Sequence, residues 1–81
     1  MPTVLRIDGY RFTMYLHDHE PPHVHIKSRE LEATFYLNGP MGPASLRKNF
    51  GFSQPEANHL RDLVQKHLAT LCIKWEELHE N

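Results

Sequence analysis

The chain has 81 residues, 40% of them hydrophobic and 23% charged, which suits one globular domain spanning residues 1–81 and is too short for two. The formal net charge is −1 at pH 7 with neutral histidines, which argues against nonspecific nucleic-acid binding by bulk charge and leaves room for a local basic patch. A lone cysteine excludes an intramolecular disulfide, and we see no signal peptide or membrane-spanning run, so we expect a cytoplasmic protein.

The first predicted element is a β-hairpin formed by residues 3–7 and 10–16. Asp8-Gly9 separates these two β-rich runs. Such a pair is typical of a two-residue type I′ turn, in which both positions have positive φ. Alternation along the strands then separates an apolar face from a polar face. The polar face receives Arg6, Arg11, Thr13, Tyr15 and His17.

A second hairpin is predicted from residues 23–28 and 31–38, with residues 29–30 at its tip. This register places Lys27 opposite Glu32, which is a favourable cross-strand pair. The polar face of this hairpin receives His23, His25, Lys27, Glu32, Thr34 and Tyr36. We therefore expect the polar groups of both hairpins to share one side of a sheet.

The two hairpins can be joined by placing Leu16 opposite Val24, since their apolar faces then coincide. In this register Tyr15 lies opposite His25. The result is an antiparallel sheet of four strands over residues 3–38, with one apolar and one polar face.

The remainder of the chain is predicted to be a loop followed by one helix. Residues 39–52 contain two Gly-Pro pairs and indicate a loop, with a short fifth strand near 44–47 as the alternative. Ser53 and Glu56 form a capping box, and apolar residues at helical spacing extend the helix over 54–79. We expect an α+β fold in which this helix covers the apolar face. Its length exceeds that of the strands, so its C-terminal end is the expected contact in a homodimer.

The segment 17–25, HDHEPPHVH, holds four of the seven histidines and is the leading functional candidate. His23 and His25 lie two apart on one strand, and histidine titrates near neutral pH, so this pair suits general acid–base catalysis. Tyr15 is expected to position the substrate beside them. The expected substrate-binding residues are Arg6, Arg11, Lys27 and Tyr36. This arrangement predicts a metal-independent ribonuclease without a cofactor.

Three alternatives to this catalytic interpretation remain open. In one, a divalent transition metal binds to the histidines of the segment, namely His17, His19, His23 and His25. In another, the segment is structural, and the residues that organise its loop are Asp18, His19, Pro21 and Pro22. In the last, the polar face or the helix end is a non-catalytic module that binds a partner protein.

The run DHEPPHVH at residues 18–25 resembles the core of a family of small bacterial proteins called domain of unknown function 4160. The similarity continues through ATF at 33–35, NFGFS at 49–53 and the helix near Trp75. The family positions in this motif are Asp18, His19, Pro21, Pro22, His23 and His25. The resemblance implies a toxin of a bacterial toxin–antitoxin pair, with a small antitoxin-like protein as its partner. The resemblance to this family does not identify any catalytic residue.

Overall fold

The computed structural model describes residues 3–79 and contains an antiparallel five-stranded sheet and two helices. The strands lie side by side in chain order: β1 (Thr3–Ile7), β2 (Tyr10–Thr13), β3 (His23–Ser28), β4 (Leu31–Tyr36) and β5 (Ser45–Phe50). The helices are α1 (Gln54–Lys66) and α2 (Leu68–His79). The α+β prediction is confirmed, and the fifth strand, which was the alternative, is present as an edge strand paired with β4.

Both hairpins have the register that their turns predict. Asp8 and Gly9 have φ values of 52° and 84°, as a type I′ turn requires. Arg6 consequently lies opposite Arg11 across β1 and β2. In the second hairpin, Lys27 lies opposite Glu32.

The register expected between the hairpins is wrong by two residues. β2 ends at Thr13, and Thr13 rather than Tyr15 lies opposite His25. The chain leaves the sheet early because Tyr15 begins a tight turn, which also leaves the Leu16 side chain 60% exposed instead of on the apolar face. A shift of two residues does not change which face a side chain occupies. The division into polar and apolar faces therefore holds.

A continuous buried cluster joins the apolar face of the sheet to the two helices. Its members from the first four strands and their ends are Phe12, Met14, Val24, Ile26, Ala33, Phe35 and Leu37. Its members from the helices are Leu60, Leu63, Val64, Leu68, Leu71 and Trp75. Because successive strand residues point to opposite faces, the residues between these members lie on the other side of the sheet. The predicted site residues among them are Arg11, His23, His25, Lys27 and Tyr36, whereas the others from residues 15–22 belong to the connection between β2 and β3.

The single helix expected over residues 54–79 is confirmed only in part. The helical region covers these residues but breaks at His67, where φ is −107° and ψ is 20°. An unbroken helix of this length would measure about 39 Å, whereas a six-residue strand measures only about 20 Å. The break lets α2 pack Trp75 against the His23 ring at the beginning of β3, with ring centroids 5.3 Å apart. The expected homodimer contact at this helix end stays a prediction.

Neither α1 nor α2, the helices within residues 3–79, has the length and apolar character needed to cross a membrane.

Replacing Tyr10 with phenylalanine is expected to lower the free energy of unfolding by about 1–2 kcal/mol at pH 7. The Tyr10 hydroxyl donates a 2.6 Å hydrogen bond to Glu56 Oε2 and so connects β2 to α1. This hydrogen bond, together with partial burial, raises the pKa of Tyr10 above its ordinary value. The stabilisation is therefore fully present below about pH 10 and is lost as the pH rises through the raised pKa.

Urea denaturation of the wild type and Tyr10→Phe at pH 7 and at alkaline pH checks this expectation. The stability difference between the two proteins should shrink at alkaline pH. Equal stabilities at pH 7 would show that the hydrogen bond contributes nothing.

Candidate functional site

The connection between β2 and β3 positions Asp18 on the polar face. The Asp18 amide donates to the Tyr15 carbonyl oxygen at 3.1 Å, which closes a tight turn. The Tyr15 amide in turn donates to Asp18 Oδ2 at 3.2 Å. These two hydrogen bonds fix the carboxylate relative to the backbone, as aspartate side chains commonly do in turns. Asp18 therefore makes two hydrogen bonds within the loop, and its loop-organising role stays a prediction.

The same carboxylate oxygen meets both histidines at the start of β3. Asp18 Oδ2 lies 3.1 Å from His25 Nε2 and 3.4 Å from His23 Nε2. The two imidazole rings lie edge to face with their centroids 5.3 Å apart. His23 is buried, and His25 and Asp18 are partly buried. The structure therefore brings together a carboxylate and two imidazoles, with their polar atoms converging.

The outward nitrogens of the two rings have their own partners. His23 Nδ1 lies 2.9 Å from the Pro21 carbonyl oxygen, and His25 Nδ1 lies 3.1 Å from Glu32 Oε2. Both partners are acceptors only, so we assign a proton to each Nδ1. Thr34 Oγ1 is 3.4 Å from His25 Nδ1 and adds a weaker contact. An ionised Asp18 carboxylate is also an acceptor only, so a proton or another cation is needed between Oδ2 and each Nε2 that carries a lone pair.

Tyr15 and Lys27 form a second polar group beside the histidines. The Tyr15 ring packs edge-on against His25 with centroids 5.0 Å apart. The Lys27 ammonium donates to the Tyr15 hydroxyl and lies 5.1 Å from the centre of its ring. The hydrogen bond to Tyr15 raises the pKa of Lys27, which keeps a positive charge at this position. The prediction that Tyr15 lies close to His25 therefore agrees with the structure, despite the wrong register.

A cavity of about 290 Å³ opens beside the histidines. It is lined by residues 17–21 together with His23, His25, Tyr36 and Arg47. A larger cavity of about 660 Å³ lies between β5 and α1, but no histidine lines it. The smaller cavity is the better candidate site, because it collects four histidines and the Asp18 carboxylate.

The structure divides the other predicted site residues into two sets. His17 and His19 line the cavity but are exposed, and Tyr36 lines it from β4. Arg6 and Arg11 lie in the same cross-strand row as Lys27, outside the cavity lining. These two arginines are thus near the site but not in it.

Arg47 is not among the binding residues expected from the sequence, which indicated a loop over residues 39–52 with a short strand near 44–47 as the alternative. It belongs to β5 and reaches the cavity lining beside Tyr36. The available signal was the run at 44–50, ASLRKNF, which contains no glycine or proline and so permits a strand. Side-chain alternation alone would not have placed Arg47, because the pairing of β4 with β5 is irregular at Phe35.

Comparison with family models matches residues 9–76 to a family described as a domain of unknown function, DUF4160. The chain belongs to the DUF4160 family. The matched range contains the whole candidate site, so the family assignment made from the histidine motif is confirmed. A comparison with curated proteins gave no match, and neither did a comparison with solved structures. The family description names no activity, so the function of this DUF4160 protein has to be argued from its site.

Proposed function

We propose that this DUF4160 protein cleaves RNA at the cavity beside His23 and His25, and that it acts as the toxin of a toxin–antitoxin pair with a small protein partner. One observation carries the proposal. Although the formal net charge is only −1, the histidine cluster has cationic side chains on both sides of it on one face of the sheet. A phosphodiester backbone is the substrate class that such a surface attracts.

The first cationic flank is the row that contains Arg6, Arg11 and Lys27. Lys27 is two residues from His25 on β3, so the two side chains project from the same face about 7 Å apart. Its ammonium is held by Tyr15, which also contacts His25. A phosphate bound by this flank would therefore lie next to the imidazoles.

The second flank comes from β5. Lys48 lies opposite Thr34, which in turn lies opposite His25. Lys48 is thus two strands from His25, a distance of about 10 Å at the usual strand spacing. Arg47, the neighbour of Lys48, lines the cavity itself. Positive charge therefore lies on both sides of the histidines. An RNA strand that crosses the site would have phosphates close to both flanks.

The hydrogen bonds do not favour a metal-independent acid–base pair in which His23 and His25 act without Asp18. His25 has a carboxylate oxygen 3.1 Å from each of its ring nitrogens, and His23 has an acceptor near each of its own. A general acid or base needs a nitrogen within hydrogen-bonding distance of the substrate. We therefore propose that the two imidazoles act together with Asp18 rather than as an independent pair. Lys27 and Arg47 then bind phosphate.

Induced expression in bacteria tests the proposal. The wild type is expected to stop growth and degrade cellular RNA, whereas the double variant His23→Ala/His25→Ala is expected to do neither. Circular dichroism must show that the double variant folds, because His23 packs against the core residue Trp75. Co-expression of the proposed small antitoxin-like partner should restore growth.

The control variant is His59→Ala, which removes an exposed histidine from α1. It should remain as toxic as the wild type. Normal growth and intact RNA on expression of the wild type would contradict the proposal. Loss of a partner complex in the double variant, without any RNA cleavage by the wild type, would support the interaction module instead.

A further inference from the structure

We infer that Asp18, His23 and His25 form a binding site for one divalent transition-metal ion, with zinc as the first ion to test. The inference concerns the same cavity as the proposed function, but it does not require RNA to be the substrate. It also changes the ligand set expected from sequence, in which His17 and His19 took the place of Asp18.

The two separations between the Asp18 carboxylate and the histidine nitrogens fit a shared ion. One ligand atom from each of the three residues can be chosen so that all lie within 4.8 Å of one another. Asp18 Oδ2 is 3.1 Å from His25 Nε2 and 3.4 Å from His23 Nε2. Zinc bonds of about 2.0–2.1 Å separate neighbouring ligands by roughly 3.0–3.4 Å in octahedral or tetrahedral geometry. Small movements of these side chains would therefore admit the ion.

The outer hydrogen bonds are the second and independent observation. A histidine that binds a metal usually donates its other ring N–H to a carboxylate or a backbone carbonyl. His23 meets the Pro21 carbonyl through Nδ1, and His25 meets the Glu32 carboxylate through Nδ1. A proton on Nδ1 of each ring directs the Nε2 lone pair toward Asp18, where a shared metal ion would offset the repulsion between that lone pair and the carboxylate. A histidine pair that served only to hold the loop would not need this arrangement on both members.

The position of the cluster indicates the class of site. Two imidazoles and one carboxylate provide three ligands, which leaves further coordination positions open. All three residues line the 290 Å³ cavity, so the open positions face a space that a substrate or water can enter. A structural zinc site would instead be closed by four protein ligands. The ligand types suit zinc, iron(II), cobalt(II) or nickel(II) better than magnesium, which prefers oxygen ligands.

The test uses the full chain without a histidine tag, treated with a chelator and then titrated with zinc. We expect one zinc ion per chain, no comparable binding of magnesium, and a rise in Tm of roughly 10–20 °C at a zinc concentration 100 times the Kd. Cobalt(II) should give a visible absorption spectrum, and zinc should displace it. Absence of stoichiometric zinc binding by the folded wild type would overturn the inference.

Single substitutions locate the ligands. Asp18→Asn, His23→Gln and His25→Gln should each weaken zinc binding more than ~100-fold, and Glu32→Gln should weaken it about 10-fold. The matched controls, His17→Gln and His19→Gln, should bind as the wild type does. If these two controls lose as much affinity as His23→Gln and His25→Gln, the ligand set is wrong.

A cleavage assay separates this inference from the proposed function. Zinc binding at Asp18, His23 and His25 without RNA cleavage would support the metal site and contradict the proposed substrate. RNA cleavage that survives complete removal of bound metal would support the proposed function and overturn a metal ion as part of its site.

Discussion

Trp75→Ala is expected to lower the free energy of unfolding by about 3–5 kcal/mol, which is the usual cost of truncating a buried aromatic side chain to alanine. Trp75 is only 4% exposed and contacts His23, with ring centroids 5.3 Å apart. It stacks on His79 at a centroid distance of 3.8 Å, and its Nε1 donates to Glu20 Oε1 at 3.4 Å. The Trp75 side chain thus joins α2 to the connection between β2 and β3 and to His23, the first residue of β3.

Thermal and urea denaturation without added metal would measure this loss. Ile73→Ala is the matched control, because Ile73 lies on the same helix and is 55% exposed. Its expected cost is within about 1 kcal/mol, as for most exposed substitutions. Any folded fraction of Trp75→Ala should also bind zinc more weakly, since the His23 ring loses its packing support. Similar stabilities for the two variants would contradict the buried role of Trp75.

Asp18→Asn is expected to reduce RNA cleavage at least ~100-fold with little change in the fold. The amide oxygen can still accept the hydrogen bond from the Tyr15 amide, so the turn should persist. The substitution removes the negative charge that faces His23 Nε2 and His25 Nε2. We therefore expect the loss mainly in kcat rather than in KM, because the phosphate-binding side chains are unchanged.

Initial rates on a short single-stranded RNA would measure the effect, with circular dichroism to confirm folding. Asp62→Asn makes the same chemical change at an exposed position on α1, outside the cavity beside the histidines, and should leave the rate unchanged. Equal rates for Asp18→Asn and the wild type would remove Asp18 from the mechanism.

The local parts of the fold could be predicted because short-range rules determine them. Asp8-Gly9 determines the register of the first hairpin, and the tip at residues 29–30 determines that of the second. The alternation of side chains along a strand then correctly predicted that His23, His25 and Lys27 lie on one face of the sheet. Each of these predictions depends only on residues within a few positions of one another.

The connection between the hairpins could not be predicted in the same way. Its path depends on Asp18, whose side chain accepts from the Tyr15 amide and also faces two histidines of the next strand. The sequence shows a carboxylate between histidines but not which backbone group it accepts from. The sequence prediction had the wrong register by two residues and did not include Asp18 among the candidate metal ligands. Both errors arise because the contacts of the Asp18 side chain cannot be read from the sequence.

The helix break and the place of Arg47 depend on long-range packing. The helix breaks at His67 although no glycine or proline occurs there. The break is accompanied by packing of Trp75 against His23 at the start of β3. Arg47 reaches the cavity only because β5 pairs with β4. Such contacts join residues that are far apart in sequence, so periodicity could not locate them.

Cleavage of a 5′-labelled single-stranded RNA by the tag-free protein is the most direct test that the Asp18–His23–His25 cluster is a metal-dependent catalytic centre. The protein would be treated with chelator and then supplied with one equivalent of zinc, beside Asp18→Asn handled in the same way. We predict that cleavage by the wild type disappears on chelation and returns with zinc, while the variant stays inactive in both states. Cleavage by the wild type that survives chelation, absence of cleavage by the wild type in every metal state, or equal cleavage by the variant would each contradict this claim.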